Sequence, residues 1–163
     1  MIEDAALLAR AEALVRAYAA SKKKIATAES CTGGLVAGLL TAVPGSSAVV
    51  DRGFVTYSNE AKTDLVGVPA ALIAAHGAVS EPVARAMAEG ALGRSLADAA
   101  VAITGIAGPG GGSADKPVGL VHFALALEGA PTRHIERRFG GPGREEIRRL
   151  AVEQALALFE GAV

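Results

Sequence analysis

The segment Val118–Leu127 (VGLVHFALAL) constrains the fold most, because it is apolar on both of its alternating faces. A strand with one polar face can leave that face in water. This one cannot, so it belongs inside a sheet covered by helices on both sides. Arg133–Phe139 reads differently: Ile135 and Phe139 share one face and charges occupy the other, which suits an edge strand. Ile25–Ala28, Val49–Tyr57 and Ala99–Ile103 supply three further strands, the second interrupted by Asp51-Arg52-Gly53.

Between the strands the apolar spacing turns helical. Leu7, Leu8, Ala11, Leu14, Val15 and Tyr18 form a stripe on a helix of about residues 3–20, closed by Ser21-Lys-Lys-Lys24. A second helix follows Gly34 and stops at Pro44-Gly45, and short helices are predicted at 59–66 and 69–75. Ser80-Glu-Pro82 predicts a helix start with a capping hydroxyl and a proline in the first turn. Its inner side would be Val83, Met87, Ala91 and Leu92. Arg144–Glu160 makes the last helix, with Ile147, Leu150, Ala151 and Leu158 inward. Only the short loop 104–117 joins two adjacent strands, too short for a helical crossover, so the sheet is mixed. The expected fold class is α/β: a single three-layer α/β/α domain over residues 1–163, with a mixed, mostly parallel sheet.

Composition excludes several function classes. Sixteen basic and seventeen acidic residues leave a net charge of −1, so no broad electropositive field awaits nucleic acid. Six aromatics and no tryptophan give no base-stacking surface. The single cysteine, Cys31, permits no internal disulfide or thiolate cluster, and a reducing cytoplasm is the expected setting. The acidic start Met1-Ile-Glu-Asp4 does not resemble a signal peptide, and no apolar run approaches a membrane span. The three histidines, His76, His122 and His134, show no ligand spacing, so no metal and no cofactor are expected, and His122 reads as a packed core histidine.

Four segments carry candidate chemistry. Glu29-Ser30-Cys31-Thr32-Gly33-Gly34 lies between a strand end and a helix, where open α/β folds place ligands. Ser30 there is a candidate nucleophile, and the backbone N–H groups that follow, with the helix's positive end, suit an oxyanion or a phosphate. The bland reading has Ser30 or Thr32 cap the helix. Cys31 is the weaker nucleophile, having no histidine nearby. Tyr57-Ser-Asn-Glu-Ala-Lys62 offers a base: a lysine with a lowered pKa can activate a serine, and a tyrosine can relay the proton. Read blandly, Lys62 is a solvated helix residue. Thr104–Gly112 is a glycine-rich turn open to a phosphate, although no Gly-Lys-Ser/Thr closes it as a Walker sequence would. Gly140-Gly-Pro-Gly-Arg144 puts an arginine at a helix start, where it suits a bound anion or simply pairs with a neighbouring acid. A penicillin-recognising enzyme is rejected, because the lysine required three residues after the serine is replaced by Gly33.

Taken in order, Ala28-Glu-Ser-Cys-Thr-Gly-Gly34, Pro44-Gly-Ser-Ser47, Val55-Thr-Tyr-Ser-Asn59 with Lys62, Gly77-Ala-Val-Ser80, Thr104-Gly-Ile-Ala-Gly-Pro109, Lys116-Pro-Val-Gly119 and Gly143-Arg144 resemble the CinA C-terminal family. That family includes the bacterial nicotinamide-nucleotide amidohydrolases, and the likeness runs from about Lys24 to Leu158. One departure is Asp51-Arg52-Gly53, where a more apolar segment is expected at the rim of the site. The resemblance implies metal-free, serine-dependent hydrolysis of the carboxamide of nicotinamide mononucleotide. Ser30 would be the nucleophile, Lys62 the base and Tyr57 an aid to proton transfer. Backbone groups of Cys31, Thr32, Gly33 and Gly34 would hold the oxyanion. Thr104, Gly105, Gly108 and Arg144 would hold the ribose phosphate. Longer members carry an N-terminal domain related to molybdopterin-binding folds, for which 163 residues leave no room. Two rivals stand beside this reading: a non-catalytic nucleotide-binding or competence-associated module, and a serine amidase for another small amide. The only partner implied is the small nucleotide, apart from a possible second copy of the chain packed on the first helix.

Overall fold

A computed structural model describes residues 3–163; Met1 and Ile2, and with them part of the acidic start, lie outside the described residues. The elements run α1 (Ala5–Ala20), β1 (Ile25–Glu29), α2 (Leu35–Thr41), a 3-10 turn (Ser46–Ala48) and β2 (Val50–Val55). They continue through α3 (Asn59–Val66), α4 (Ala70–His76), α5 (Glu81–Gly93), β3 (Ala99–Gly105), β4 (Leu120–Leu127), β5 (Arg133–Arg138) and α6 (Arg144–Glu160).

The five strands form one sheet in the order β2-β1-β3-β4-β5. β1 pairs in parallel with β2 and β3, whereas β4 runs antiparallel to both β3 and β5. The sheet is therefore mixed, with only β4 reversed, and the reversal falls at the short β3–β4 connection. β4 is interior and buried along almost its whole length, and β5 is an exposed edge.

Alternation along the strands sorts the core into two layers. One layer packs Ile25, Val101, Ile103, Phe123 and Leu125 against α1, α2 and α6. The other packs Ala26, Ala28, Ala100, Ala102, Ala124 and Ala126 against the inner faces of α3, α4 and α5. The apolar stripe of α1 is spent inside the chain: Leu7, Ala11, Leu14, Val15 and Tyr18 are buried, and the Tyr18 hydroxyl donates to Phe159 O at 3.0 Å. Among the described residues, no helix is long and apolar enough to cross a membrane.

Three local expectations are corrected. Asp51-Arg52-Gly53 does not end its strand but lies within β2, where the irregularity is a one-residue register slip at Asp51: Ile25 faces Val50 and Ala26 faces Arg52. It is also remote from any site at the carboxyl ends of the strands. Asp51 accepts from Leu96 N at 3.1 Å and Arg52 donates to Arg94 O at 2.9 Å, which ties β2 to the connection between α5 and β3 at the opposite end. Ser80 occupies the N-cap position of α5, but its hydroxyl donates to Gly77 O at 2.8 Å and does not cap the helix.

Candidate active site

Ser30 follows the last residue of β1, and its N–H donates to Ile103 O at 2.9 Å, so the sheet itself fixes its backbone. Lys62 sits on α3, where it and Val66, one turn later, are the buried residues. Its side chain is only 1% exposed, so the solvated alternative does not hold. The ammonium nitrogen Nζ lies 3.1 Å from Ser30 Oγ. Backbone oxygens complete its surroundings: Thr56 O at 2.8 Å, Tyr57 O at 3.3 Å and Ser58 O at 3.5 Å. Burial pushes the Lys62 pKa below its ordinary 10.5, since a charge loses hydration in this setting. The nearby Cys31 thiol is itself pushed up to about 12, chiefly by burial, so at neutral pH it is an uncharged SH and no counter-ion for the lysine. That same shift removes Cys31 as a nucleophile.

A cleft of about 230 Å³ opens above this contact, with Ser30, Lys62, Tyr57, Thr104 and Arg144 around it. The Arg144 guanidinium stands at it and, among the described residues, no acidic side chain lines it, which favours an anionic ligand. Arg144, at the start of α6, reaches across the mouth, donating to Gly108 O at 2.8 Å and to the Tyr57 hydroxyl at 3.1 Å. It therefore spans the segments that follow β2 and β3. Thr104 and Gly105 close β3 on the cleft floor, with the Thr104 hydroxyl donating to Ala78 O at 2.9 Å. A side chain at Gly105 would press on Val121 and Leu120 O, so glycine there lets β3 and β4 approach.

The turn between β1 and α2 is held from two sides. The buried Glu29 carboxylate accepts from Val36 N at 2.9 Å and Ala37 N at 3.1 Å. It thereby fills the amino end of α2, which the sequence reading had offered to a ligand. From α6, Arg148 donates to Cys31 O at 3.1 Å and to Thr32 O at 3.3 Å. Gly33 N–H is bonded to Ser30 O at 3.0 Å, and Gly33 and Gly34 serve the turn through positive φ values of 57° and 97°. Thr32 Oγ1 is the only buried side-chain nitrogen or oxygen without a partner among the described residues.

The structure thus gathers Ser30, Cys31, Tyr57, Lys62, Thr104, Gly105 and Arg144 around one cleft. It leaves Gly33 and Gly34 in the adjoining turn, and Gly108 meets the cleft through its carbonyl on Arg144. The Tyr57 hydroxyl accepts from Arg144, and its hydrogen bond with Lys62 is through its main-chain oxygen. Sequence reasoning missed Glu29 and Arg148. Glu29 stood inside the quoted motif, and Arg148 lies four residues after Arg144, hence on the same side of α6.

Comparison with known proteins follows the same boundaries. A family model described as the CinA C-terminal domain matches residues 8–163. A CinA-like protein of Anaeromyxobacter sp. (strain Fw109-5) is 55% identical over 150 residues, which is 92% of this chain and 36% of that protein. A CinA-like protein of Mycolicibacterium gilvum is 58% identical over 142 residues, 86% of this chain and 33% of that protein. The chain thus spans about a third of the length of these relatives. Among solved structures, the competence/damage inducible protein CihA from Agrobacterium tumefaciens superposes with a TM-score of 0.93 at 52% identity, covering 95% of this chain and 94% of that one. A competence-damaged protein (CinA) superfamily member from Escherichia coli gives 0.90 at 36% identity, covering 96% and 90%.

Proposed function

This chain belongs to the CinA C-terminal domain family, and from that premise we propose that it hydrolyses the carboxamide of nicotinamide mononucleotide to nicotinic acid mononucleotide and ammonia, a salvage step for pyridine nucleotides. The observation that carries the reading is the 3.1 Å contact between Ser30 Oγ and the buried, pKa-depressed Lys62 Nζ.

A neutral lysine amine has two N–H groups and one lone pair. Thr56 O and Tyr57 O accept the two N–H groups, which leaves the lone pair for the Ser30 hydroxyl proton. Ser30 Oγ then bonds to the carboxamide carbon while its proton passes to Lys62 Nζ. The carbonyl oxygen becomes an oxyanion beside the Cys31 N–H. As the C–N bond breaks, Lys62 returns the proton to the leaving nitrogen and ammonia departs. Water attacks the resulting ester, giving its proton to Lys62, and the acyl–oxygen bond to Ser30 breaks with return of that proton. The acid is released and the dyad is restored. Every proton moves through one lysine, and the proposed chemistry uses no metal or cofactor.

Arg144 supports a phosphorylated substrate, because its guanidinium stands at the cleft mouth and its present partners are a neutral hydroxyl and a carbonyl. A phosphate offers the stronger, charge-assisted acceptor. The test is ammonia release from nicotinamide mononucleotide, its riboside and free nicotinamide, with a chelator present throughout. The mononucleotide alone is expected to turn over rapidly, S30A to lose at least about 10³-fold in kcat, and R144A mainly to raise KM. Equal turnover of the riboside, or near-normal S30A, overturns the reading.

A further inference from the structure

Arg148 stands outside the cleft, yet it is bonded to the turn that follows the nucleophile. It donates from Nε to Cys31 O and from Nη2 to Thr32 O. In a trans peptide the C=O and N–H point to opposite sides. Anchoring Cys31 O on α6 therefore turns the Thr32 N–H, in the same peptide unit, away from α6. The preceding unit is fixed in the same manner, because Ser30 O accepts from Gly33 N and so directs the Cys31 N–H. Among the described residues, neither the Cys31 nor the Thr32 N–H donates to another residue, and the Cys31 N–H meets only its own thiol sulfur. Of the two residues only Cys31 lies against the cleft, beside Ser30 and Lys62; Thr32 is fully buried. Glu29 has already taken the Val36 and Ala37 N–H groups, and the unpaired N–H of the N-cap residue Gly34 belongs to a residue that does not line the cleft.

We infer that Arg148 is a positioning residue that fixes the turn after Ser30 and so presets the Cys31 N–H as an oxyanion donor. Its charge polarises the Thr32–Gly33 peptide unit and, through the bond from Gly33 N–H to Ser30 O, the unit that carries the Cys31 N–H. The inference rests on the assignment of Ser30 as nucleophile. Its consequence is specific: losing Arg148 weakens a developing negative charge without weakening ground-state binding, so kcat falls while KM stays. A residue that merely holds the fold together lowers Tm and disturbs both constants.

An alkyl fluorophosphonate tests this without relying on the nucleotide. Ser30 Oγ bonds to phosphorus, fluoride leaves, the serine proton passes to Lys62, and the phosphoryl oxygen takes the oxyanion position. R148M is expected to be labelled at Ser30 about 10- to 100-fold more slowly than the unaltered protein, somewhat below the loss from deleting an oxyanion donor outright. With nicotinamide mononucleotide, kcat should fall by a similar factor and KM should change less than about twofold. R148K carries a cation without the two-pronged donor and should fall in between. R148K also keeps the test open if R148M does not fold by circular dichroism. Labelling of R148M within twofold of normal, equality of R148K with the unaltered protein, or a raised KM at constant kcat overturns the proposal. If the unaltered protein is labelled at Ser30 but releases no ammonia from the mononucleotide, the substrate reading fails while the labelling rates still decide the role of Arg148. If Ser30 is not labelled at all, both fail.

Discussion

On the α1/α2/α6 side, the strands present Ile25, Val101, Ile103, Phe123 and Leu125; on the α3/α4/α5 side, they present Ala26, Ala28, Ala100, Ala102, Ala124 and Ala126. Large side chains hold one helical layer at a distance and fill the gap. Small ones let the other layer settle close, and Gly90 of α5 lies so near Val66 of α3 that a methyl group there would overlap the Val66 carbonyl. The two sides then supply different parts of the site. The large-residue side carries the turn after Ser30, the proposed nucleophile, held by α2 and α6 through Glu29 and Arg148. The small-residue side carries the lysine, brought in on α3 and sealed from water. A rigid platform and a desolvated base are separate requirements, and each layer's packing meets one of them.

The largest way to break this division is Lys62→Met, which keeps the apolar stem and removes the amine. Activity is expected to fall at least about 10³-fold. Stability should move the other way. The folded-state pKa of Lys62 is lowered, so between that value and 10.5 the unfolded chain binds more protons and the lysine opposes folding at neutral pH. Lys62→Met should therefore raise Tm near pH 7, with the gain shrinking as pH rises towards 10.5. A variant that is both inactive and less stable at neutral pH would show that Lys62 is held for packing. Thermal unfolding scans across that pH range check the sign.

Opposite packing errors on the two faces sharpen the comparison. Phe123→Ala opens a cavity among large neighbours and is expected to cost about 3–5 kcal/mol. Ala124→Val, the next residue along β4 but facing the close-packed helices, overfills its site at a cost of about 1–3 kcal/mol. Urea unfolding measures both. Equal tolerance of Val at Ala124 and at an exposed position would mean that α5 does not sit as closely as the alanines allow.

Much of this division is legible in the sequence. Val121-His-Phe-Ala-Leu-Ala126 already alternates large and small, and α3 and α6 begin and end where their spacing says. Ser30, Tyr57 and Lys62 are recognisable as a set by order and residue type. What the sequence leaves open is set by contacts between distant segments. Lys62 is polar and follows a capped helix start, so its own neighbours predict a solvated side chain; only the close approach of α3 to the Ser30 turn dries it. Glu29 stands in the quoted motif with no role of its own, and only the path of α2 makes it a cap. Arg148 is one of six arginines on β5 and α6, and nothing local separates the one that reaches back 116 residues to Thr32.

The smallest effect concerns the one place where the alanine face carries polar rings. His122 of β4 and His134 of β5 are stacked, and His122 Nδ1 lies 2.8 Å from His134 Nε2. One ring donates and the other accepts, so the bond requires that they not both be protonated. Burial lowers both pKa values below 6.5; Glu81 and Glu136 oppose that shift on each ring, while Lys116 adds to it at His122 and Arg85 at His134. With folded values below the unfolded one, the unfolded chain binds more protons as pH falls through 6.5. Stability is thus complete above about pH 6.5 and declines below it, by at most about 1.4 kcal/mol per pH unit for each histidine. Glu81 and Glu136, which their arginine partners hold below the usual 4.5, titrate lower and so leave this window to the histidines. Replacing both rings with leucine should flatten Tm between pH 7 and pH 5. A slope that survives the double replacement would place the acid sensitivity in the carboxylates of the surface, and the alanine face would then be indifferent to pH.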